Sequence, residues 1–298
     1  KNRVWLCMDC GKCGSVCPIS RWETRQFSSP RLLIERAIQG RTEEIMADPL
    51  FWSCLVCKRC TELCPSDVHF SEFLRDARTL AHSFDLHGDC THSEMIQTWG
   101  RMMTNPKQRQ NRLAWLIDDL KISADSDTVF FVGCLPYYDP LFKKMDVEGV
   151  KVAQAAVKIM NHLGIEPQVL AEERCCGHDQ LWEGDRDTFK SLAALNIEKL
   201  QDSDAKRIIT TCPECARTLK IDYPAFVGEH GMEVLHLVEL IATHKLTFSA
   251  DQGSRVTYQD PCNLGRHLGV YDQPREILSD LGYDLVEMRR SRNAALCC

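Results

Sequence analysis

A chain of 298 residues, 44% hydrophobic and 26% charged, carries enough apolar material to bury the cores of more than one compact unit. A formal net charge of −6, with no Lys/Arg run longer than two residues, argues against a nucleic-acid surface. The longest apolar stretches, such as residues 234–241, are far too short to span a bilayer, and residues 1–9 lack the pattern of a secretory signal.

Residues 1–85 read as a first unit. Cys7, Cys10, Cys13 and Cys17 precede Pro18, and Cys54, Cys57, Cys60 and Cys64 precede Pro65. Both runs are C-x2-C-x2-C-x3-C-P, the spacing of iron–sulfur cubane sites in bacterial ferredoxins. Structural zinc is the rival, but zinc sites rarely take cysteines at i, i+3 and i+6 followed by a fourth and a proline. In such paired runs the fourth cysteine of each serves the other cluster. One 4Fe-4S cubane is therefore expected on Cys7, Cys10, Cys13 and Cys64, the other on Cys54, Cys57, Cys60 and Cys17. Ser29-Pro30 and Gly40 bracket a helix over 31–39, and apolar spacing predicts another over 70–82. The module is thus a helical two-cluster ferredoxin, and Trp52 is expected to pack beside its second cysteine run.

Residues 86–127 read as a linker region, helical over 110–120, in which Cys90 has no spacing partner and is expected to be a plain thiol. From 128 the texture becomes alternating strand and helix. Strands are expected at 128–133, 167–170 and 207–211, and helices at 150–163 and 186–200. Each strand runs into cysteine: Cys134, then Cys175-Cys176-Gly177, then Cys212-Pro-Glu-Cys215. This pattern predicts a parallel α/β sheet with ligands at the carboxyl ends of its strands. The pattern restarts with a strand at 255–258 leading to Cys262, a helix over 273–281 and a strand at 284–288 before Cys297-Cys298. We read an internal repeat: 128–250 as one domain and 251–298 as the start of a second, truncated one. An opening at Lys1 and a stop on a cysteine pair read as the ends of a segment cut from a longer chain.

Seventeen cysteines in C-x2-C repeats point to metal sites in a reducing compartment rather than to disulfides, hence to the cytoplasm. Five thiols at Cys134, Cys175, Cys176, Cys212 and Cys215 exceed what a cubane or a zinc ion needs. They make either a four-ligand site with one spare buried cysteine or a larger cluster that uses all five.

The order Cys134…Cys175-Cys176-Gly177…Cys212-Pro213-Glu214-Cys215 resembles the cysteine-rich "CCG" domain of heterodisulfide reductases. Asp260-Pro261-Cys262, Leu264-Gly265-Arg266, Gly269-Val270-Tyr271 and Pro274-Arg275 are similar to the same family. Two ferredoxin runs followed by two such domains look like its D-type subunit. The resemblance implies Rossmann-like CCG domains, a noncubane 4Fe-4S cluster on Cys134, Cys175, Cys176, Cys212 and Cys215, and a second one begun by Cys262, Cys297 and Cys298. It implies disulfide reduction fed by the cubanes. It equally implies the alternative of an electron-relay subunit in a bifurcating, quinone-linked or benzoyl-CoA reductase type of complex, without disulfide turnover of its own. A purely structural role would not need so much metal.

No G-x-G-x-x-G fingerprint argues for a nucleotide within the chain. Electrons are therefore expected from a flavoprotein or iron–sulfur partner, or from a membrane cytochrome, within a multi-subunit complex whose membrane association runs through those partners. Beside the cysteines, His178 and Asp179 are candidates for hydrogen-bonding a cluster or giving up a proton. Arg266 and His267 are candidates for an anionic thiol or a partner carboxylate, the alternative being a solvent-facing helix start. Trp182 is expected to pack around a cluster.

Overall fold

The computed structural model describes residues 2–22, 29–88, 91–244 and 253–298; Cys90, expected to be a plain thiol, lies outside them. The amino-terminal part is built of short helices. Pro30–Ile38 starts where Ser29 Oγ accepts from the Leu32 amide at 3.3 Å, and Pro49–Ser53 where Asp48 Oδ1 accepts from the Leu50 amide at 2.9 Å. Their apolar faces and that of Phe70–His82 meet in a core of Leu33, Phe51, Phe70 and Leu74, each almost wholly removed from solvent. Cys17 is part of this core, and Cys7, Cys54, Cys60 and Cys64 pack against it.

In the remainder, β1 (Thr128–Phe130), β2 (Arg207–Thr210) and β3 (Glu233–His236) form a parallel sheet in the order β1-β2-β3, with Val129 opposite Ile208 and Ile208 opposite Val234. Helices on both faces bury it, as an all-parallel sheet requires: Arg186–Gln201 on one side, Gly149–His162 and Leu237–His244 on the other. The strand expected at 167–170 is reduced to one parallel bridge, Val129 to Gln168. A separate two-stranded parallel ladder, β4 (Arg255–Val256) and β5 (Asp284–Leu285), carries the last segment with the helix Gln273–Asp280.

Two expectations change. Residues 110–120 form turns, not helix, because Arg112, Trp115 and Leu120 each sink separately into the interior. Helix forms earlier instead, at Met95–Met103. The stretch 234–241, read only as apolar, contains β3 and the start of the helix behind it.

Candidate functional site

All described cysteines are free thiols. In the ferredoxin-like part they sort across the two runs. One opening of about 410 Å³ is lined by Cys7, Cys10, Cys13, Cys60 and Cys64, with Ile34, Val68 and Phe70 as apolar walls. A second, of about 360 Å³, is lined by Cys17, Cys54, Cys57 and Cys60 beneath Ile19, Leu55 and Val56. Each opening thus takes the fourth cysteine of the opposite run. Among the described residues, no three His, Cys, Asp or Glu side chains converge as tightly as a single ion would need. The thiols instead surround room for a larger group, and the soft-donor, apolar-walled setting fits an iron–sulfur cluster. Burial pushes the Cys54 thiol up to about 12, and the nearby Arg78 opposes that rise. Arg78 is itself buried and donates to the carbonyls of Phe51, Trp52 and Cys54, and across to Trp182, at 2.8–3.1 Å.

The five further cysteines gather at the carboxyl ends of the sheet. Cys134 follows β1 and begins the helix Leu135–Leu141. Cys175 and Cys176 precede the helix His178–Glu183. Cys212 follows β2 and accepts from the Cys215 amide at 3.4 Å, capping Pro213–Arg217. Sulfur contacts chain the set together: Cys134 lies 3.4 Å from Cys175, Cys176 bonds to Cys175 and to Cys215, and Cys215 bonds to Cys212. Donation by Cys134, then by Cys176, holds the Cys175 thiol well below the usual range, helped by the Gly177 amide at 3.4 Å. Two glycines make this approach possible. Gly133 has φ +66°, and a Cβ there would lie 3.0 Å from Cys215 Sγ; Gly177 has φ +81°, and its Cβ would meet Phe189 at 2.9 Å.

Beneath these loops lies a buried frame. Glu173 accepts from the amides of Val132 and Gly133 at 3.1 and 2.7 Å and from Arg112 at 2.6 Å, while Arg112 also donates to the Gly133 carbonyl. Asn196 donates to the Cys175 carbonyl at 3.0 Å and to Tyr223 Oη at 2.9 Å, and Tyr223 donates to the Cys176 carbonyl at 3.1 Å. Both loops that carry Cys134 and Cys175-Cys176 are therefore fixed by side chains without thiols. Tyr138 faces the same thiols; burial first, then Cys134, raises it, so its hydroxyl stays protonated.

Cys262 and Cys297 come into contact in the last segment, with Cys298 exposed beside Cys297. The Cys297 thiol donates to Cys262 and brings it down to about 7, with Arg266 contributing. Glu214 lies within electrostatic reach of both Cys175 and Cys262, which puts the two sets in one neighbourhood.

Of the other expected residues, His178 is buried, bonds Thr218 Oγ1 at 3.0 Å through Nδ1, and is driven down to about 3 by burial and then Arg217. Arg266 is buried instead of facing solvent, and donates to the carbonyls of Cys57, Asn293 and Ala295. His267 bonds the Val56 carbonyl at 3.2 Å and accepts from Arg217 Nε at 3.0 Å. Cys262 opens a wide helical turn, Asn263–His267, in which the His267 amide reaches back to the Cys262 carbonyl at 3.1 Å. Trp182 lies buried under Arg217 at 4.5 Å and Arg75 at 5.2 Å, with the His267 ring edge-on at 5.9 Å. The sequence reading missed Arg59, Arg112, Glu173 and Asn196. Arg59 sits between Cys57 and Cys60 but is not one of the run's defining residues, Glu173 lies just ahead of Arg174-Cys175, and Arg112 and Asn196 lie in no motif.

The "4Fe-4S dicluster domain" family matches residues 3–68, and the CCG "Cysteine-rich domain" family matches 128–220 and 256–298. The chain is 32% identical to the D-type subunit of the dihydromethanophenazine:CoB–CoM heterodisulfide reductase of Methanosarcina mazei, over 98% of this chain and 76% of that protein. It is 29% identical to the EtfAB:quinone oxidoreductase of Syntrophomonas wolfei, over 87% of this chain and 37% of that one. It is 26% identical to the probable iron–sulfur-binding oxidoreductase FadF of Bacillus subtilis, over 99% of this chain and 50% of that one. No solved structure matches the chain significantly. No helix among the described residues is long and apolar enough to cross a membrane.

Proposed function

Because the chain belongs to the family of heterodisulfide reductase D-type subunits and is an iron–sulfur oxidoreductase subunit, we propose that it carries electrons from two cubanes to a noncubane site that reduces a disulfide. The cubanes belong on Cys7, Cys10, Cys13 and Cys64 and on Cys17, Cys54, Cys57 and Cys60. A noncubane 4Fe-4S cluster belongs on Cys134, Cys175, Cys176, Cys212 and Cys215, and a second begins with Cys262, Cys297 and Cys298. The two cysteine-rich segments are copies of one Rossmann-like unit, with boundaries at 128–250 and 251–298, after a module at 1–85 and a connecting region at 86–127. When bound, the clusters supply one-electron steps and iron with an affinity for sulfur.

The observation that carries this reading is the convergence of five thiols on one buried frame near a second thiol set. Reducing a disulfide takes two electrons and two protons and releases two thiols, so a place between two sulfur-rich sites suits it. The chain's own residues do the positioning there. Arg112, Glu173, Asn196 and Tyr223 fix the loops, and Tyr138 presents a protonated hydroxyl. Electrons come from a flavoprotein or iron–sulfur partner, or from a membrane cytochrome, in a cytoplasmic complex that meets the membrane through such partners. The likeness to EtfAB:quinone oxidoreductase and FadF favours a second reading, a relay subunit with no disulfide turnover.

Iron and acid-labile sulfide counts, with electron paramagnetic resonance under thiol titration, test the proposal. A thiol-dependent paramagnetic species is expected, and Cys212→Ala removes it while both cubane signals persist. Rapid reduction by a flavoprotein without any thiol-dependent species would give the relay reading. Loss of a cubane signal in Cys212→Ala would overturn the ligand assignment.

A further inference from the structure

Where the second cysteine run meets the last segment, two buried arginines share one oxygen. Arg59 and Arg266 are 7% and 6% exposed. Arg59 Nη1 and Arg266 Nη1 both donate to the Ala295 carbonyl, at 3.0 and 2.7 Å. Arg266 Nε donates to the Cys57 carbonyl as well. Among the described residues neither guanidinium forms an ion pair, and Arg59 Nε and Arg266 Nη2 have no acceptor. Arg290 adds a further positive charge to the surroundings of Arg59. Like charges buried side by side without a carboxylate are costly, and one partner of the opposite sign would relieve all of them. The thiols within electrostatic reach are Cys57 and Cys262, which flank Arg266 from the two sides of this junction.

We propose that Arg59 and Arg266 are the counter-charge shared by the group held on Cys17, Cys54, Cys57 and Cys60 and the group begun at Cys262, Cys297 and Cys298. This rests on the iron–sulfur reading above. Thiolate-ligated clusters are anionic, and each electron added makes them more so; a buried cation nearby favours the reduced form. The pair therefore raises the reduction potential of the second-run cubane above the value it would have without them, drawing electrons toward this junction. Both arginines are positioning residues. Their bonds go to backbone carbonyls, and their effect reaches the reacting groups through charge.

The test is a redox titration of the full chain carrying its iron and sulfide, followed by electron paramagnetic resonance. The two cubane signals are assigned beforehand with Cys10→Ser. Removing one of two like charges relieves repulsion, so Arg59→Gln is expected to fold with full iron content. Its second-run signal should move to lower potential by about a tenfold change in the reduced-to-oxidised ratio, 59 mV for a one-electron couple. The first-run signal should stay in place. Arg59→Lys and Arg266→Lys, which keep the charge, should leave both potentials where they were. Unmoved potentials in Arg59→Gln, equal shifts of both cubanes, or loss of iron without a shift would each overturn the proposal. If the unaltered chain showed no cubane signal at all, the iron–sulfur reading would fall instead.

Discussion

The two adjacent-cysteine regions both match the cysteine-rich family and are held in different ways. In 128–244 the cysteines stand on a buried three-stranded sheet, and the frame under them pairs Asn196 with Tyr223 inside that segment and Glu173 with Arg112 from the stretch just before it. In 253–298 the ladder is two residues long, and the segment leans on the ferredoxin-like part through Arg59, Arg266 and His267. Its own buried ion pair, Arg275 with Asp260 at 2.7 and 2.8 Å, braces the approach to Cys262 but touches no sheet core. The first set thus stands on a sheet core of its own, with Arg78 tying Trp182 to the ferredoxin-like part. The second has no such core and is placed through Arg59, Arg266 and His267 against the second cysteine run and against Arg217 of the first region.

The largest break in this comparison comes from Arg112→Met. It leaves Glu173 buried without its cation, at a cost of about 3–5 kcal/mol, and should loosen the Cys134 and Cys175 loops while the Cys262 set persists. Denaturant titration and limited proteolysis would show it. Arg112→Met combined with Glu173→Gln should regain part of the loss, since no charge is then stranded. Equal loosening of both regions would erase the contrast. Gly177→Ala comes next. It places a side chain at φ +81° and drives a Cβ to 2.9 Å from Phe189, so about 1–3 kcal/mol is expected, read as a lower denaturation midpoint.

The third probe is pH. His236 ends β3, its Nε2–H donates to the Thr211 carbonyl at 2.9 Å, and its Nδ1 accepts from the Val238 amide at 3.3 Å. Burial holds this ring below its ordinary pKa of 6.5, so it is neutral in the fold while the unfolded chain takes up a proton near 6.5. Below that pH the unfolded state binds more protons, and the first region loses up to about 1.4 kcal/mol per pH unit until the folded pKa is reached. Denaturation midpoints at pH 7 and pH 5 measure the slope, and His236→Gln should reduce it. An unchanged slope in that variant would show that His236 is not its source.

How much of this was legible beforehand follows from the range of each interaction. Cysteine spacing is local, so both runs and both pairs could be read directly, and the helix at 70–82 matched because its apolar period is local too. The parallel strands at 128–130 and 207–210 were legible from short buried runs ending in cysteine. What escaped depends on partners far along the chain. Arg112 meets Glu173 across 61 residues, and Arg59 meets Ala295 across 236, with nothing at either end to mark the pairing. The turns at 110–120 escaped because local propensity favours helix there, and the burial of Trp115 and Leu120 overrides it.

The smallest expected effect sharpens the contrast from the other side. Arg255 and Asp284 approach to 3.7 Å across the β4–β5 ladder, but their side chains are 73% and 63% exposed. An ion pair so open to water is screened and costs side-chain entropy to hold, so Asp284→Asn should change stability by under about 0.5 kcal/mol. If the last segment is held by Arg59, Arg266 and His267 against the second cysteine run, the ladder's surface charge has little to do. Denaturation of the variant at low and at high salt should then give superimposable curves with the unaltered chain. A loss of more than about 1 kcal/mol would mean that the ladder holds its own position, and the second region would resemble the first in being held from within.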